Sequence, residues 1–167
     1  MSLPSELEPY CGVFPIAPTP FKEDESLDLE GQMRVLDCMI DQGVDGVCIL
    51  ANYSEQFLLS DEERDQLLTV CLEHIAGRGP VIVTCSHFST RISVVRALQA
   101  EAAGADMIMV MPPYHGTALR ASGKGNFDFF QKLAEAISIP IMVQDAPLSG
   151  VNLTVSFLAC LLYTSDA

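Results

Sequence analysis

Asn52, Tyr53 and Ser54 lie in ANYSEQ (51–56), the polar stretch that follows the apolar run VDGVCIL (44–50). Together they offer an amide, two hydroxyls and backbone N–H groups, a donor set able to cradle a carboxylate. Capping the next element and holding the turn would employ the same residues equally well. Glu55 beside them could serve as a general base, but a glutamate so close to a strand end is expected to brace neighbouring turns. Tyr114 follows Pro112-Pro113, a rigid setting that suits a phenol placed to relay a proton; the alternative is a half-buried packing aromatic. Gln144 ends a further apolar run, PIMVQ (140–144), and Asp145 follows it in the turn QDAPLSG (144–150). His87 and His115 end two adjacent runs and could join Glu55 or Asp145 in a metal site. They lack ligand spacing, so no metal and no cofactor are expected. His74, late in a helical segment, is expected to be solvated.

Schiff-base chemistry on a keto acid would need a lysine inside the site, its pKa lowered by burial. The chain has only Lys22, Lys124 and Lys132, and none falls at the end of an apolar run. A lysine enzyme built on this chain would take its lysine from elsewhere.

The elements that must position these residues alternate. GVFPIAP (12–18), VDGVCIL (44–50), PVIVTC (80–85), DMIMVM (106–111) and PIMVQ (140–144) have strand length, and continuous apolar runs suit strands buried on both faces. Between them, Leu29, Met33, Leu36 and Ile40 recur at helical spacing, with Gly43 as the stop. Ser60 and Glu63 have capping-box spacing at the head of a helix that ends at Gly77. Ile92, Val95, Leu98 and Ala102 are the expected inward face of the next helix, and Phe127, Phe130, Ala134 and Ile137 of the one after. A fifth helix starts near Leu153. Five βα units in succession demand a parallel sheet with helices outside. No strand–GxGxxG–helix is present, which disfavours a dinucleotide fold. The expected fold class is α/β, an incomplete (βα)8 TIM barrel comprising about the first five βα units, since a closed barrel needs eight strands. In either architecture ligands gather at the carboxyl ends of the strands, where the polar turns above fall.

Nine basic against 22 acidic residues give a net charge of −13, which disfavours nucleic acid and anionic membranes. No apolar run is long enough for a membrane helix, and MSLPSELEPY does not resemble a secretory signal, so a cytoplasmic protein is expected. The six cysteines lack CxxC spacing and are expected to be buried and reduced.

GVFPIAPTPF, GVDGVCILANYSEQFLLSDEER, AGADMIMVMPPYHG and IPIMVQDAPLSGVNL together resemble the amino-terminal half of the dihydrodipicolinate synthase / N-acetylneuraminate lyase family. The resemblance runs from about Gly12 to Ala159. It implies a class I aldolase-type barrel that binds 2-keto acids through a lysine imine, usually in dimers or tetramers. The family's commonest second turn, Gly-Thr-Thr-Gly-Glu, corresponds to Ala51-Asn52-Tyr53-Ser54-Glu55, so the carboxylate-binding threonines fall on Asn52 and Tyr53. The relay tyrosine falls on Tyr114. The tyrosine of the Tyr-Asn-Val-Pro turn falls on Gln144, and the arginine that often follows has no counterpart near Ser149-Gly150. These departures resemble a branch that dehydrates 2-keto-3-deoxy sugar acids. By that resemblance Asn52, Tyr53 and Ser54 hold the carboxylate, Tyr114 relays protons, and Gln144 and Asp145 meet sugar hydroxyls. The alternatives are a synthase- or lyase-type aldolase of the same family, a metal-dependent barrel enzyme, and a non-catalytic module that binds small acids.

CLLYTSDA (160–167) ends the chain without a cap. One back-translation of it, TGT CTC TTA TAC ACA TCT GAC GCT, matches a transposon-end adapter used in DNA library preparation. The expected organisation is therefore a tail at 1–11, a partial barrel at 12–159 and a non-native tail at 160–167. The chain alone is expected to be inactive and to aggregate, because its edges and apolar faces lack their cover.

Overall fold

A computed structural model describes residues 11–114 and 121–164. These hold five α-helices and four strands, whose assigned pairings are parallel. No helix among the described residues is long and apolar enough to cross a membrane. The chain forms two compact units, Met1–Thr84 with Ala103–Met107, and Cys85–Ala102 with Ile108–Ala167.

In the first unit, residues 12–18 do not form the expected strand. They make a single parallel bridge, Ile16 to Cys48, because Pro15 and Pro18 have no N–H to extend a ladder. Backbone bonds still fix the segment: Cys48 N–H donates to the Pro15 carbonyl and Ala17 N–H to the Cys48 carbonyl, both at 2.9 Å. Helix α1 (Leu29–Asp41) starts at Asp28, whose carboxylate accepts the Gly31 N–H at 2.8 Å. Strand β1 (Val47–Ile49) pairs with β2 (Val81–Thr84) in the register Val47–Val81, Cys48–Ile82, Ile49–Val83. Every residue of both strands is buried, as a parallel sheet covered by helices requires. Gly46 has no room for a side chain: a Cβ there would lie 2.2 Å from the Phe14 ring and 2.7 Å from the Pro80 carbonyl.

Helix α2 (Asp61–Ile75) opens on the capping box read from the sequence. Ser60 Oγ accepts the Glu63 N–H at 3.2 Å, and Glu63 Oε2 accepts the Ser60 N–H at 2.9 Å. It packs on α1, burying Leu36, Leu67, Cys71 and Ile75. Contrary to expectation, His74 is not simply solvated. Its Nε2 lies 2.8 Å from Asp37 Oδ1, which also accepts from Arg78 Nη1 at 2.8 Å. The Arg78 and His74 partners hold the Asp37 carboxyl below its ordinary pKa of 3.8.

In the second unit, β3 (Met107–Val110), whose first residue belongs to the other unit, pairs with β4 (Ile141–Val143) in the register Ile108–Ile141, Met109–Met142, Val110–Val143. β4 is only half-buried. Helix α3 (Thr90–Ala102) does not bury the face expected of it: Val95 and Leu98 are 42% and 44% exposed, while Ser93, Ala97 and Ala100 are buried. Small side chains let a neighbour approach closely, and that shape outweighs hydropathy here. Helix α4 (Gly123–Ala134) is also rotated from expectation, burying Asn126, Phe129, Phe130 and Leu133; only Phe130 belongs to the expected stripe. Ser122 caps it, accepting the Gly125 N–H at 3.1 Å. Phe130 meets Phe157 of α5 (Val155–Thr164) edge-on, with centroids 6.4 Å apart. At the end of α3, Glu101 Oε1 accepts both the N–H and the hydroxyl of Ser138, at 2.7 and 2.5 Å.

No disulfide joins the cysteines; Cys48, Cys71 and Cys85 are buried as expected, whereas Cys11, Cys38 and Cys160 are exposed. Cys38 lies on the outer side of amphipathic α1, where the helical period leaves it in solvent.

Candidate functional site

In the first unit β1 runs straight into the turn Ala51–Gln56. Leu50, buried and bulky, has φ of 56°, and Glu55 has φ of 58°. Two left-handed residues without glycine cost about 1–3 kcal/mol each, and such strain persists only where the surroundings over-determine it. Those surroundings are visible. Asn52–Ser54 forms a 3-10 turn. Ser54 is buried, its Oγ accepting the Ala51 N–H at 3.1 Å and donating to the Ala17 carbonyl at 2.6 Å. Thr19 Oγ1 donates to the Ser54 carbonyl at 2.8 Å. Gln56 Nε2 donates to Asn52 Oδ1 at 2.7 Å.

The candidate binding residues therefore divide. Tyr53 stands 82% exposed, its phenol free of the protein interior. Asn52 is half-buried at the mouth of the turn. Ser54 spends its hydroxyl inside the turn. Glu55 does not brace as expected: its side chain is exposed and makes no hydrogen bond among the described residues, and its backbone N–H closes the turn on the Asn52 carbonyl at 3.1 Å. A left-handed cap turns its side chain outward, and the bracing falls to Thr19, Ser54 and Gln56. Holding the turn was one of the two readings the sequence offered for Ser54; the contacts of Thr19 and Gln56 had no signal in it, because each depends on a turn geometry rather than on a residue type.

The second unit carries the other candidates. Tyr114 is half-buried and meets Phe88 edge-on, with centroids 5.5 Å apart at 63°. Phe88 in turn lies 5.1 Å from the His87 ring. His87 Nδ1 accepts the Ser89 N–H at 2.9 Å, so a neutral ring carries its proton on Nε2. Ser86 Oγ accepts the Met111 N–H at 3.0 Å and fixes the start of the segment that leads to Tyr114. Gln144 extends the β4 pairing, its N–H donating to the Val110 carbonyl at 2.8 Å. Its side-chain oxygen is buried without a hydrogen-bond partner among the described residues. Asp145 is exposed. His115 lies outside the described residues.

Among the described residues no three His, Cys, Asp or Glu side chains cluster closely enough to hold a metal. Lys22 sits in the turn closed by its N–H on the Ser26 carbonyl at 2.8 Å. Lys124 pairs with Asp128 at 2.6 Å along α4, and Lys132 is exposed in the last turn of that helix. None stands at the carboxyl end of a strand. The first unit also has a cavity of about 280 Å³ between Leu72, Ile75, Gly79, Pro80, Gly104 and Asp106. It lies at the amino end of β2, where Asp106 Oδ2 is engaged by the Val81 N–H at 2.8 Å. It holds none of the candidate residues.

Comparison with known proteins decides the family. Residues 9–166 match the dihydrodipicolinate synthetase family. The chain belongs to that family. It is 54% identical over 150 residues to L-2-keto-3-deoxyarabonate dehydratase of Azospirillum brasilense, covering 90% of this chain and 48% of that protein. It is 36% identical over 129 residues to 4-hydroxy-tetrahydrodipicolinate synthase of Bartonella quintana, covering 77% of this chain and 43% of that one. Among solved structures, a putative dihydrodipicolinate synthetase from Pseudomonas aeruginosa superposes with a TM-score of 0.89 at 31% identity, covering 93% of this chain and 53% of its own. A prophage protein of the dihydrodipicolinic acid synthase family from E. coli K12, solved in complex with pyruvate, gives 0.84 at 29% identity, over 90% and 51%. This member of the family thus spans about half the length of the relatives it matches. Its fold is an incomplete α/β barrel.

Proposed function

We propose that the intact protein is a class I lyase that dehydrates a 2-keto-3-deoxy sugar acid, with L-2-keto-3-deoxyarabonate as the first substrate to test. The observation that carries this reading is the 54% identity to a dehydratase of that acid, against 36% to a synthase of the same family. The E. coli relative's complex with pyruvate, a 2-keto acid, supports the substrate class.

In this reading the C2 ketone forms an imine with a lysine outside this chain. Asn52 and Tyr53 hold the substrate carboxylate on the turn that Ser54 braces. The imine acidifies C3; a proton leaves C3 and the C4 hydroxyl departs as water, with Tyr114 relaying the proton. Tautomerisation and hydrolysis of the imine then release 2-oxoglutarate semialdehyde and restore the lysine. Gln144 fits the role of a binder: an amide cannot exchange a proton near neutral pH, so at that position it can only hydrogen-bond. Its buried oxygen without a partner suits a substrate hydroxyl, and the exposed Asp145 is a second partner for the sugar.

Borohydride reduction of the intact protein with pyruvate tests the imine step. A mass increase equal to reduced pyruvate on one lysine beyond this chain is the expected result. Activity lost to a chelator, with no trapped adduct, would favour the metal-dependent alternative.

A further inference from the structure

We propose that Gln56 is a positioning residue that fixes which end of the Asn52 amide faces the substrate, and so makes the turn selective for a carboxylate. This rests on the reading that the turn Ala51–Gln56 holds the substrate carboxylate. Gln56 is only 3% exposed, and its Nε2 donates to Asn52 Oδ1 at 2.7 Å. With that oxygen engaged, half-buried Asn52 has its two Nδ2 hydrogens to present. A carboxylate only accepts hydrogen bonds, so it is attracted by the amide's nitrogen end and repelled by its oxygen end. The orientation of one amide therefore decides whether the turn binds or rejects the acid group.

The other end of Gln56 supports the same assignment. Its Oε1 is buried without a hydrogen-bond partner among the described residues. An unpaired buried acceptor costs stability, and methionine, of similar length, would fill the space without that cost. The side chain is thus poorly chosen for packing alone, and what it gains is the contact to Asn52. Reversing both amides would exchange one orphaned oxygen for an orphaned pair of N–H donors, the costlier arrangement. The observed orientation is the one that leaves both Asn52 Nδ2 hydrogens unengaged by Gln56. The spacing also fits: Gln56 reaches back four residues across a turn that Ser54 and Thr19 also hold, so losing its bond to Asn52 leaves the turn's other braces in place.

The test uses the intact protein carrying Gln56→Met and Gln56→Glu, with kinetics on L-2-keto-3-deoxyarabonate, pyruvate as a competing ligand, and Tm. Loss of one oriented charge-assisted bond in Gln56→Met should raise KM about tenfold while kcat stays within about twofold. Gln56→Glu should raise KM further, because its carboxylate draws the Asn52 donors inward and turns the oxygen towards the substrate. The pyruvate inhibition constant should weaken in step with KM, and Tm should not fall in Gln56→Met. Losses of kcat that follow Tm, equal in both variants, would overturn the inference. So would unchanged KM and pyruvate binding, and that result would leave the carboxylate reading standing. A wild-type protein that neither turns over the sugar acid nor binds pyruvate would overturn the reading and the inference together. If Gln56→Met fails to fold, the near-isosteric Gln56→Glu carries the comparison.

Discussion

Tyr114 and the buried thiols give the residue scale its tests. If Tyr114 relays the proton, Tyr114→Phe keeps the edge-on contact with Phe88 and loses only the hydroxyl. Steady-state kinetics on the intact protein should then show kcat reduced by about 10²–10³ with KM little changed. Burial pushes the Cys48 thiol up to about 11 and the Cys71 thiol up to about 12. Only the thiolate is a nucleophile, so iodoacetamide at pH 8 should label Cys11, Cys38 and Cys160 well before Cys48 and Cys71, as read by peptide mass. Fast labelling of Cys48 and Cys71 would contradict the packing around β1 and α2. At this scale the sequence showed where polar groups collect, because donors after a fully apolar strand have no core to join. It did not show direction. Ser54, read equally as a ligand group and as a holder of the turn, is turned inward; Gln56, for which the sequence carried no signal, reaches back to Asn52.

Two devices at the element scale are open to measurement. Helix α2 ends on Ala76, left-handed at φ 48° and exposed. Glycine adopts that conformation without the Cβ clash, so Ala76→Gly should raise stability by about 1 kcal/mol in denaturant melts. The second device is the cluster of Asp37 with His74 and Arg78, which ties α1 to the end of α2. Asp37 has a lowered pKa in the folded protein. Its contribution is therefore fully present above its ordinary 3.8 and is lost as pH falls through the lower folded value. Asp37→Asn should flatten the pH dependence of stability below pH 4, about where that carboxyl titrates, when melts are compared across pH. Helix starts such as Ser60 were legible because a capping box is local. Faces were not: α3 buries serine and alanine in place of valine and leucine, since close approach of a neighbour is decided in three dimensions. The proline-broken segment at 12–18 had the right composition for a strand, but two missing N–H groups limit it to a bridge.

For the whole molecule, the alternation of strand and helix was legible from α1 onward, and the solved relatives carry the same architecture over about half their length. Val155 and Leu162 of α5 are exposed, and β4 is half-covered. We propose that residues outside this chain cover them in the intact protein, so the 167-residue chain alone should aggregate or melt broadly. A sharp calorimetric transition in a soluble monomer would contradict that. The same chain should show no turnover, since its lysines sit in a loop and on α4 rather than at strand ends. The account's central claim is dehydration by the intact protein, and product analysis addresses it most directly. Incubation with L-2-keto-3-deoxyarabonate should yield the five-carbon 2-oxoglutarate semialdehyde and water; formation of pyruvate and glycolaldehyde would show cleavage of the C3–C4 bond and contradict it.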